Sequence, residues 1–473
     1  MKRILLSLLI VFLLTLHCIA QQSEELFWKG VYVYQEDVAP QIIELTINES
    51  ANKASLSIVG APVEELPLRM YHFSTDSVYF SVPVLNATFK GKRKDGNVIG
   101  TWLQAGFNTP LTFTPSKKEV FTRPQPPKPP YPYKEENVIY YNQDKSIQYG
   151  ATLTYPKDMT AFATVILITG SGQQDRDETI FKHKPFHVIA DQFSRNDIAV
   201  LRVDDRCVGQ TTGDVQNATS EDFSKDVLAG VQYLKQRKDI DLQKIGLVGH
   251  SEGCNIALLA ARKNSDIAFI ISLGGPGVAG TEIAISQYKH EIKKAYPQLS
   301  PQNLEKLVKL QHQLFNIAIK PTDKDTAVRE MLRAKDMWRN SQDSLTSVIG
   351  GFTYKMDMWV QSSTHLNHYL TPWMRYALAF RPDVVMQQID CPILFLNGEK
   401  DRIIFCDLNM QGFQKIIRKL QKKNMSFKQY PHLNHFFQHC QTGELEEVRT
   451  IEETFAPGVI TDMIEWIKTV TRK

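Results

Sequence analysis

Residues 249–253 read Gly-His-Ser-Glu-Gly, a serine held between two glycines. A serine hydroxyl is a poor nucleophile at neutral pH. It needs a base to take its proton, a group to orient that base, and N–H donors for the oxyanion that forms. The run Lys244-Ile245-Gly246-Leu247-Val248 before the pentapeptide reads as a short strand. Cys254, Ile256, Ala257, Leu258, Leu259 and Ala260 after it read as a helix of small and apolar residues. A Gly-x-Ser-x-Gly turn between strand and helix places Ser251 on a strained bend, its hydroxyl exposed above a parallel sheet. The flanking glycines suit a bend where a crossing helix leaves no room for a Cβ. Alone the pentapeptide is a modest signal, because Gly and Ser abound in turns.

Three further segments carry candidate partners, in the order serine, acid, histidine that such a sheet uses. The strand Pro392-Ile393-Leu394-Phe395-Leu396 runs into Asn397-Gly398-Glu399-Lys400-Asp401. Asp401 is the preferred acid, with Glu399 and Asp407 as competitors, since acids are commonplace in turns. After the strand Ser426-Phe427-Lys428-Gln429-Tyr430 comes Pro431-His432-Leu433-Asn434-His435-Phe436-Phe437-Gln438-His439-Cys440. His435 is the preferred base: it follows its strand by a short loop and has apolar neighbours to seat it. His432, His435, His439 and Cys440 also raise zinc, but their spacing matches no closed structural site and no second ligand pair stands elsewhere. No metal or cofactor is therefore expected. The loop Thr169-Gly170-Ser171-Gly172-Gln173-Gln174 can bring backbone N–H groups to an oxyanion. The amides of Ser171 and Glu252 are the candidate donors, the second aided by its helix N-terminus.

These residues need a scaffold. Thr164–Thr169, Ile198–Val203, Ile245–Gly249, Ile267–Leu273 and Ile393–Leu396 are continuous apolar runs alternating with helical stretches. Such runs fit strands buried on both faces of a mostly parallel α/β sheet. Phe223, Val227, Val231 and Leu234 recur at helical spacing within Ser220–Arg237. Val138–Tyr141 and Ile147–Leu153 suggest an opening hairpin. Residues 278–375 are helical by pattern with no strand among them, too long for a connection in a compact domain, which predicts a helical cap. Its Met331, Met337, Met356, Met358, Trp338 and Trp359 suit a core more often than a pocket.

The N-terminal part is different. Lys2 and Arg3 precede an apolar run from Ile4 to Leu16, and Cys18-Ile19-Ala20 supplies small residues for cleavage. Residues 1–20 thus read as a signal peptide, shorter than the ~20 apolar residues of a membrane span. That predicts export to the periplasm or medium. Cys18 would suit a lipid anchor, but Leu16-His17 is a poor context for one. Residues 21–117 alternate β-formers with polar turns, which predicts a small all-β domain. Trp28 and Trp102 are its candidate core plugs. Residues 118–135 are Pro-rich and read as a semi-rigid spacer, leaving 136–473 for the catalytic domain. A net charge of +4 over 473 residues gives no electrostatic case for nucleic acid or an acidic membrane surface. The expected partner is a small-molecule ester or peptide. Past Cys18 five cysteines remain, Cys207, Cys254, Cys391, Cys406 and Cys440, an odd number that implies no disulfide framework, although a Cys406–Cys440 bridge is conceivable.

The segments Ile168-Thr169-Gly170-Ser171-Gly172-Gln173-Gln174-Asp175-Arg176-Asp177, Leu201-Arg202-Val203-Asp204-Asp205-Arg206-Cys207-Val208-Gly209, Gly249–Gly253 and Leu433-Asn434-His435 resemble the bacterial α/β-hydrolase group related to serine aminopeptidases and carboxylesterases. The resemblance covers roughly residues 136–473, and the β-rich N-terminal module is similar to an extension that some members carry. It implies an α/β-hydrolase fold, a Ser251, Asp401, His435 triad and acyl transfer to water. Short-acyl ester hydrolysis is the first expectation. Peptidase action, with Glu252 or Asp175 receiving a substrate amine, is the second, and an inactive ligand-binding relative the third. Cys207 and Cys254 stand where the group usually has Gly and are candidates for narrowing the acyl pocket. Asp175, Arg176, Asp177, Asp205 and Arg206 fit an ion-pair network bracing the loops better than a substrate-charge site.

Overall fold

The computed structural model describes residues 25–33, 41–48, 53–59, 65–104, 107–158, 162–340 and 363–472. The leader at residues 1–20 and Met356, Met358 and Trp359 lie outside them. The chain divides after Val120 into two compact units.

The first unit is a nine-stranded antiparallel sheet. Its strands are β1 (Glu25–Tyr32), β2 (Gln41–Asn48), β3 (Lys53–Ile58), β4 (Leu66–Pro67), β5 (Arg69–Phe73), β6 (Ser77–Val82), β7 (Ala87–Lys94), β8 (Asn97–Gln104) and β9 (Phe107–Pro115). The order is β4-β3-β2-β1-β9-β8-β7-β6-β5. The two edge strands, β4 and β5, are separated in the chain only by Leu68, so the sheet must curl until its edges come together. Its concave side holds one core, in which Trp28, Phe80, Phe89, Trp102 and Phe113 are buried.

The second unit carries an eight-stranded sheet: β10 (Lys134–Tyr141), β11 (Gln148–Tyr155), β12 (Phe162–Ile168), β13 (Ile198–Val203), β14 (Ile240–His250), β15 (Phe269–Leu273), β16 (Ile393–Gly398) and β17 (Met425–Tyr430). The order is β10-β11-β13-β12-β14-β15-β16-β17. β10 and β11 form the opening hairpin, β11 runs antiparallel to β13, and every pair from β13 to β17 is parallel. Every residue of β12, β15 and β16 is buried, as expected of strands covered on both faces.

The helices are α1 (Pro185–Ser194), α2 (Ser220–Lys235), α3 (Glu252–Lys263), α4 (Gly280–Ala295), α5 (Pro301–Ala318), α6 (Lys324–Asn340), α7 (Ser363–Tyr369), α8 (Pro372–Ala379), α9 (Pro382–Met386), α10 (Cys406–Leu420), α11 (Leu445–Val448) and α12 (Pro457–Val470). α2, α3 and α10 cover one face of the sheet, and α1 and α12 the other. α4 to α8 form the cap between β15 and β16, packed around Leu307, Leu314, Phe315 and Met331. Met331 is fully buried and Trp338 packs partly against this core, so these two belong to the cap's own packing, whereas Met337 is 62% exposed.

The Pro-rich run differs from a free spacer. From Phe121 onward it belongs to the second unit. Arg123 donates to the carbonyls of Phe181 and Arg449, Gln125 donates to Phe455 O and accepts from its amide, and Tyr133 donates to Asp191. A proline-rich strand lacks N–H groups for a sheet, but its interspersed side chains can tie it to carbonyls of a neighbouring surface.

Candidate active site

Ser251 sits between β14 and α3 at φ 52° and ψ −119°, a region costly for a residue with a Cβ. Its amide donates to Leu273 O at 2.9 Å, which pins the bend against β15. The glycines on either side are dictated by packing. A Cβ on Gly253 would collide with the carbonyl oxygens of Ile168 and Thr169, and one on Gly249 with the backbone of Gly253. The elbow thus exists because α3 crosses the ends of β12 and β14 at backbone contact distance.

β16 and β17 deliver the next two residues. Asp401 follows β16 and is buried; its Oδ1 accepts the amides of Ile403 and Ile404 at 2.9 and 2.7 Å. Its Oδ2 lies 2.7 Å from His435 Nδ1 and accepts from Asn397 Nδ2 at 3.2 Å. Asn409 on α10 in turn donates to Asn397 Oδ1 at 2.6 Å and to Gly275 O at 2.8 Å, fixing the acid's support. A carboxylate so placed accepts from Nδ1 and holds the imidazole in one tautomer, Nε2 free for chemistry. His435 is 3% exposed and packs against Gly274, next to the Leu273 carbonyl that anchors Ser251. No hydrogen bond joins the Ser251 hydroxyl to His435 among the described residues; such bonds commonly tighten only with substrate in place.

The competitors go elsewhere. Glu399 accepts the His432 amide at 2.8 Å, and Asp407 lies in the first turn of α10. The neighbouring histidines diverge: His432 is largely exposed beside Glu399, and His439 pairs with Glu453. Among the described residues no group of three His, Cys, Asp or Glu side chains is placed to hold a metal ion.

Ser171 lies at the exposed tip of the loop after β12, while Gly170 is buried and passes over Ser251, a Cβ there falling 3.2 Å from Ser251 Cβ. The Gly170 amide donates to Glu178 Oε1 at 2.8 Å. Glu178 also approaches His250 Nδ1 at 2.9 Å, and His250 Nε2 lies 3.1 Å from His435 O. Burial opposes charge on His250, but the Glu178 carboxylate and its hydrogen bond, with the His435 carbonyl and Asp401, outweigh it and raise the imidazole above the usual histidine range. The sequence reading assigned neither Glu178 nor His250. Position was the only signal: His250 ends the strand that presents the candidate nucleophile.

A cavity of about 410 Å³ opens beside the elbow, lined among others by Tyr140, Ile168, Gly170, Phe223, Glu252 and Trp373. Trp373 comes from α8 of the cap, and its indole N–H donates to Glu252 Oε1 at 2.8 Å; the Ser220 hydroxyl donates to the same oxygen at 2.7 Å. Cys207 and Cys254 do not line this space, which corrects the expectation that they narrow it. Cys254 is buried behind the elbow, its thiol 2.9 Å from Gly249 O and pushed up to about 12 by burial, so it is inert. Cys207 is exposed against Gly213 O. All five of these cysteines are free, Cys406 and Cys440 included.

The charged cluster braces loops. Arg176 grips Asp204 with two nitrogens, Arg206 grips Asp226 likewise, and Arg202 pairs with Asp177. Asp175 is used up on the Asp177 and Thr179 amides of its own turn. Asp205 is the exception. It lines the cavity, accepts from Thr169 and Gln174, and is pushed up to about 7 by burial and by Glu178 and Glu252 nearby.

Comparison with known proteins gives a family match within the second unit. Residues 164–439 match the family model described as alpha/beta hydrolase fold. Esterase EstD of Thermotoga maritima is 31% identical over 139 residues, which is 29% of this chain and 33% of EstD. The chain therefore spans about a third of that relative's length. Among solved structures, the Pyrococcus furiosus esterase Pf2001 is 14% identical, with 71% of this chain and 93% of that one covered at a TM-score of 0.40. Est1E from Butyrivibrio proteoclasticus, solved with ferulic acid bound, is 17% identical over 71% of this chain and all (100%) of that one, also at 0.40.

Proposed function

The chain belongs to the α/β-hydrolase fold family, and from that premise we propose that it is an exported serine hydrolase of short-acyl carboxylic esters. Ser251 attacks the acyl carbon while His435 takes the hydroxyl proton. The tetrahedral oxyanion is met by the amides of Ser171 and Glu252. His435 then protonates the departing alcohol, and water, activated by the same imidazole, releases the acid from the acyl-enzyme. Asp401 keeps the imidazole oriented throughout. The observation that carries this reading is the buried 2.7 Å contact between His435 and Asp401, delivered by β17 and β16 to the side of the strained Ser251. The esterase name of the partial relative EstD supports ester as the bond. Hydrolysis of p-nitrophenyl esters of increasing acyl length by purified protein tests it: activity should be highest for short acyl chains and absent from Ser251→Ala. Undiminished turnover by Ser251→Ala would sink the assignment.

A second reading, an aminopeptidase, draws support from Glu252 and Asp205, two carboxyl groups on the cavity wall that form no ion pair among the described residues. Activity confined to an aminoacyl-arylamide, with simple esters untouched, would favour it. Export rests on the pattern of residues 1–20, and cell fractionation with and without them tests it.

A further inference from the structure

Beneath the proposed nucleophile lies a pair of groups that the hydrolytic steps do not use. Glu178 and His250 are 2% and 4% exposed. One oxygen of Glu178 serves two partners: the Gly170 amide donates to it at 2.8 Å, and His250 Nδ1 lies 2.9 Å away. On its other side the imidazole places Nε2 3.1 Å from the carbonyl oxygen of His435. A carbonyl can only accept, so Nε2 carries a hydrogen. Glu178 Oε1 engages Nδ1 on the opposite side, so both ring nitrogens are tied to fixed partners. The turn bearing Glu178 is itself braced. Its backbone is left-handed at φ 53°, and Asp175 Oδ1 accepts the amides of Asp177 and Thr179 on either side.

The relay joins two segments distant in the chain. One end holds Gly170, whose neighbour Ser171 is the proposed oxyanion donor; the other holds the backbone of the base. With the serine-hydrolase reading as its footing, we propose that Glu178 and His250 are positioning residues, whose buried hydrogen-bonded relay sets the oxyanion loop and His435 at one fixed separation across Ser251. In a dry interior such bonds are strong and directional. Neither side chain lines the cavity, so loosening their bonds acts first on the placement of the catalytic groups, and the loss falls mainly in kcat rather than in KM.

Three substitutions of His250 test this, read by steady-state kinetics on a short-acyl p-nitrophenyl ester with Tm measured beside them. His250→Leu removes both links and should lower kcat about 100-fold with KM within about threefold. His250→Gln can still reach the His435 carbonyl, and His250→Asn can still reach Glu178. Each should recover part of the rate and fall between wild type and His250→Leu. If the leucine variant does not fold, the two amide variants carry the test, each with a kcat loss of about tenfold at unchanged KM. Variants that keep the wild-type Tm and a kcat within about twofold, or that lose affinity alone, overturn the proposal. Ser251→Ala separates the two levels. Full activity in that control would bring down the serine-hydrolase reading and the relay with it. An inactive control beside fully active His250 variants would bring down the relay alone.

Discussion

At the scale of the residue, His435 and Asp401, the proposed base and its acid, form the best-defined contact of the site. Asp401 spends one oxygen on the Ile403 and Ile404 amides and the other on His435. Asp401→Asn retains that geometry but offers an amide N–H where the imidazole needs an acceptor, favouring the wrong tautomer. It should lower kcat by about 10³–10⁴-fold in an ester assay while leaving KM within a few-fold. Asp205 gives a prediction in pH. Its carboxyl is raised to about 7 in the folded chain, against about 3.9 when unfolded. The folded state therefore holds this proton more tightly. The associated stability is fully present below the unfolded value and is lost as pH rises through the folded one. Asp205→Asn removes that dependence, so its Tm relative to wild type should climb between about pH 4 and pH 7 and then level off. A difference in Tm that is flat across this range would contradict the assignment. Ser251, Asp401 and His435 were legible as candidates in the sequence because each closely follows a strand in the required order. Glu178 and His250 were not, because what defines them is a contact between loops far apart in the chain.

At the scale of the element, the elbow is a packing solution as much as a chemical one. α3 meets β12 through Gly253, where a methyl group would strike the Ile168 carbonyl. Gly253→Ala should destabilise the second unit by about 1–3 kcal/mol, read as a lower urea midpoint. The strands of the parallel sheet were readable as apolar runs, since burial on both faces removes the polar alternation that would blur them. Their ends were less so. β14 begins at Ile240, ahead of the apolar run, because buried Ile240 pairs with Phe162 of β12, while the residues from Asp241 to Lys244 between the two paired stretches are partly or largely exposed. The cap was readable as a helical insertion, but its hold on the site was not. Trp373 reaches from α8 to Glu252, and nothing in the spacing announces that bond. Trp373→Phe preserves the ring on the cavity wall and deletes the donor. We expect KM for a short-acyl ester to rise about two- to tenfold, the worth of one hydrogen bond, with kcat little changed.

At the scale of the whole molecule, composition divided the β-rich N-terminal part from the α/β part, and the structure places that division after Val120. Reading residues 118–135 as a spacer followed from their prolines alone; Arg123, Gln125 and Tyr133 act through partners hundreds of residues later or buried in α1, which local composition does not show. A chain beginning at Phe121 should therefore keep the Tm of the second unit, whereas one beginning at Glu136 should melt at least about 5 °C lower, several hydrogen bonds of about 1 kcal/mol having been lost. Equal melting temperatures would mean that the run is a spacer after all. The central claim, that Ser251 carries the acyl group, is tested most directly by acid-quenching the full-length protein during turnover of p-nitrophenyl acetate and mapping acetylated peptides by mass spectrometry. An acetyl ester on Ser251, absent from Ser251→Ala, is the expected result. Turnover that proceeds at the wild-type rate with Ser251 never acetylated would contradict it.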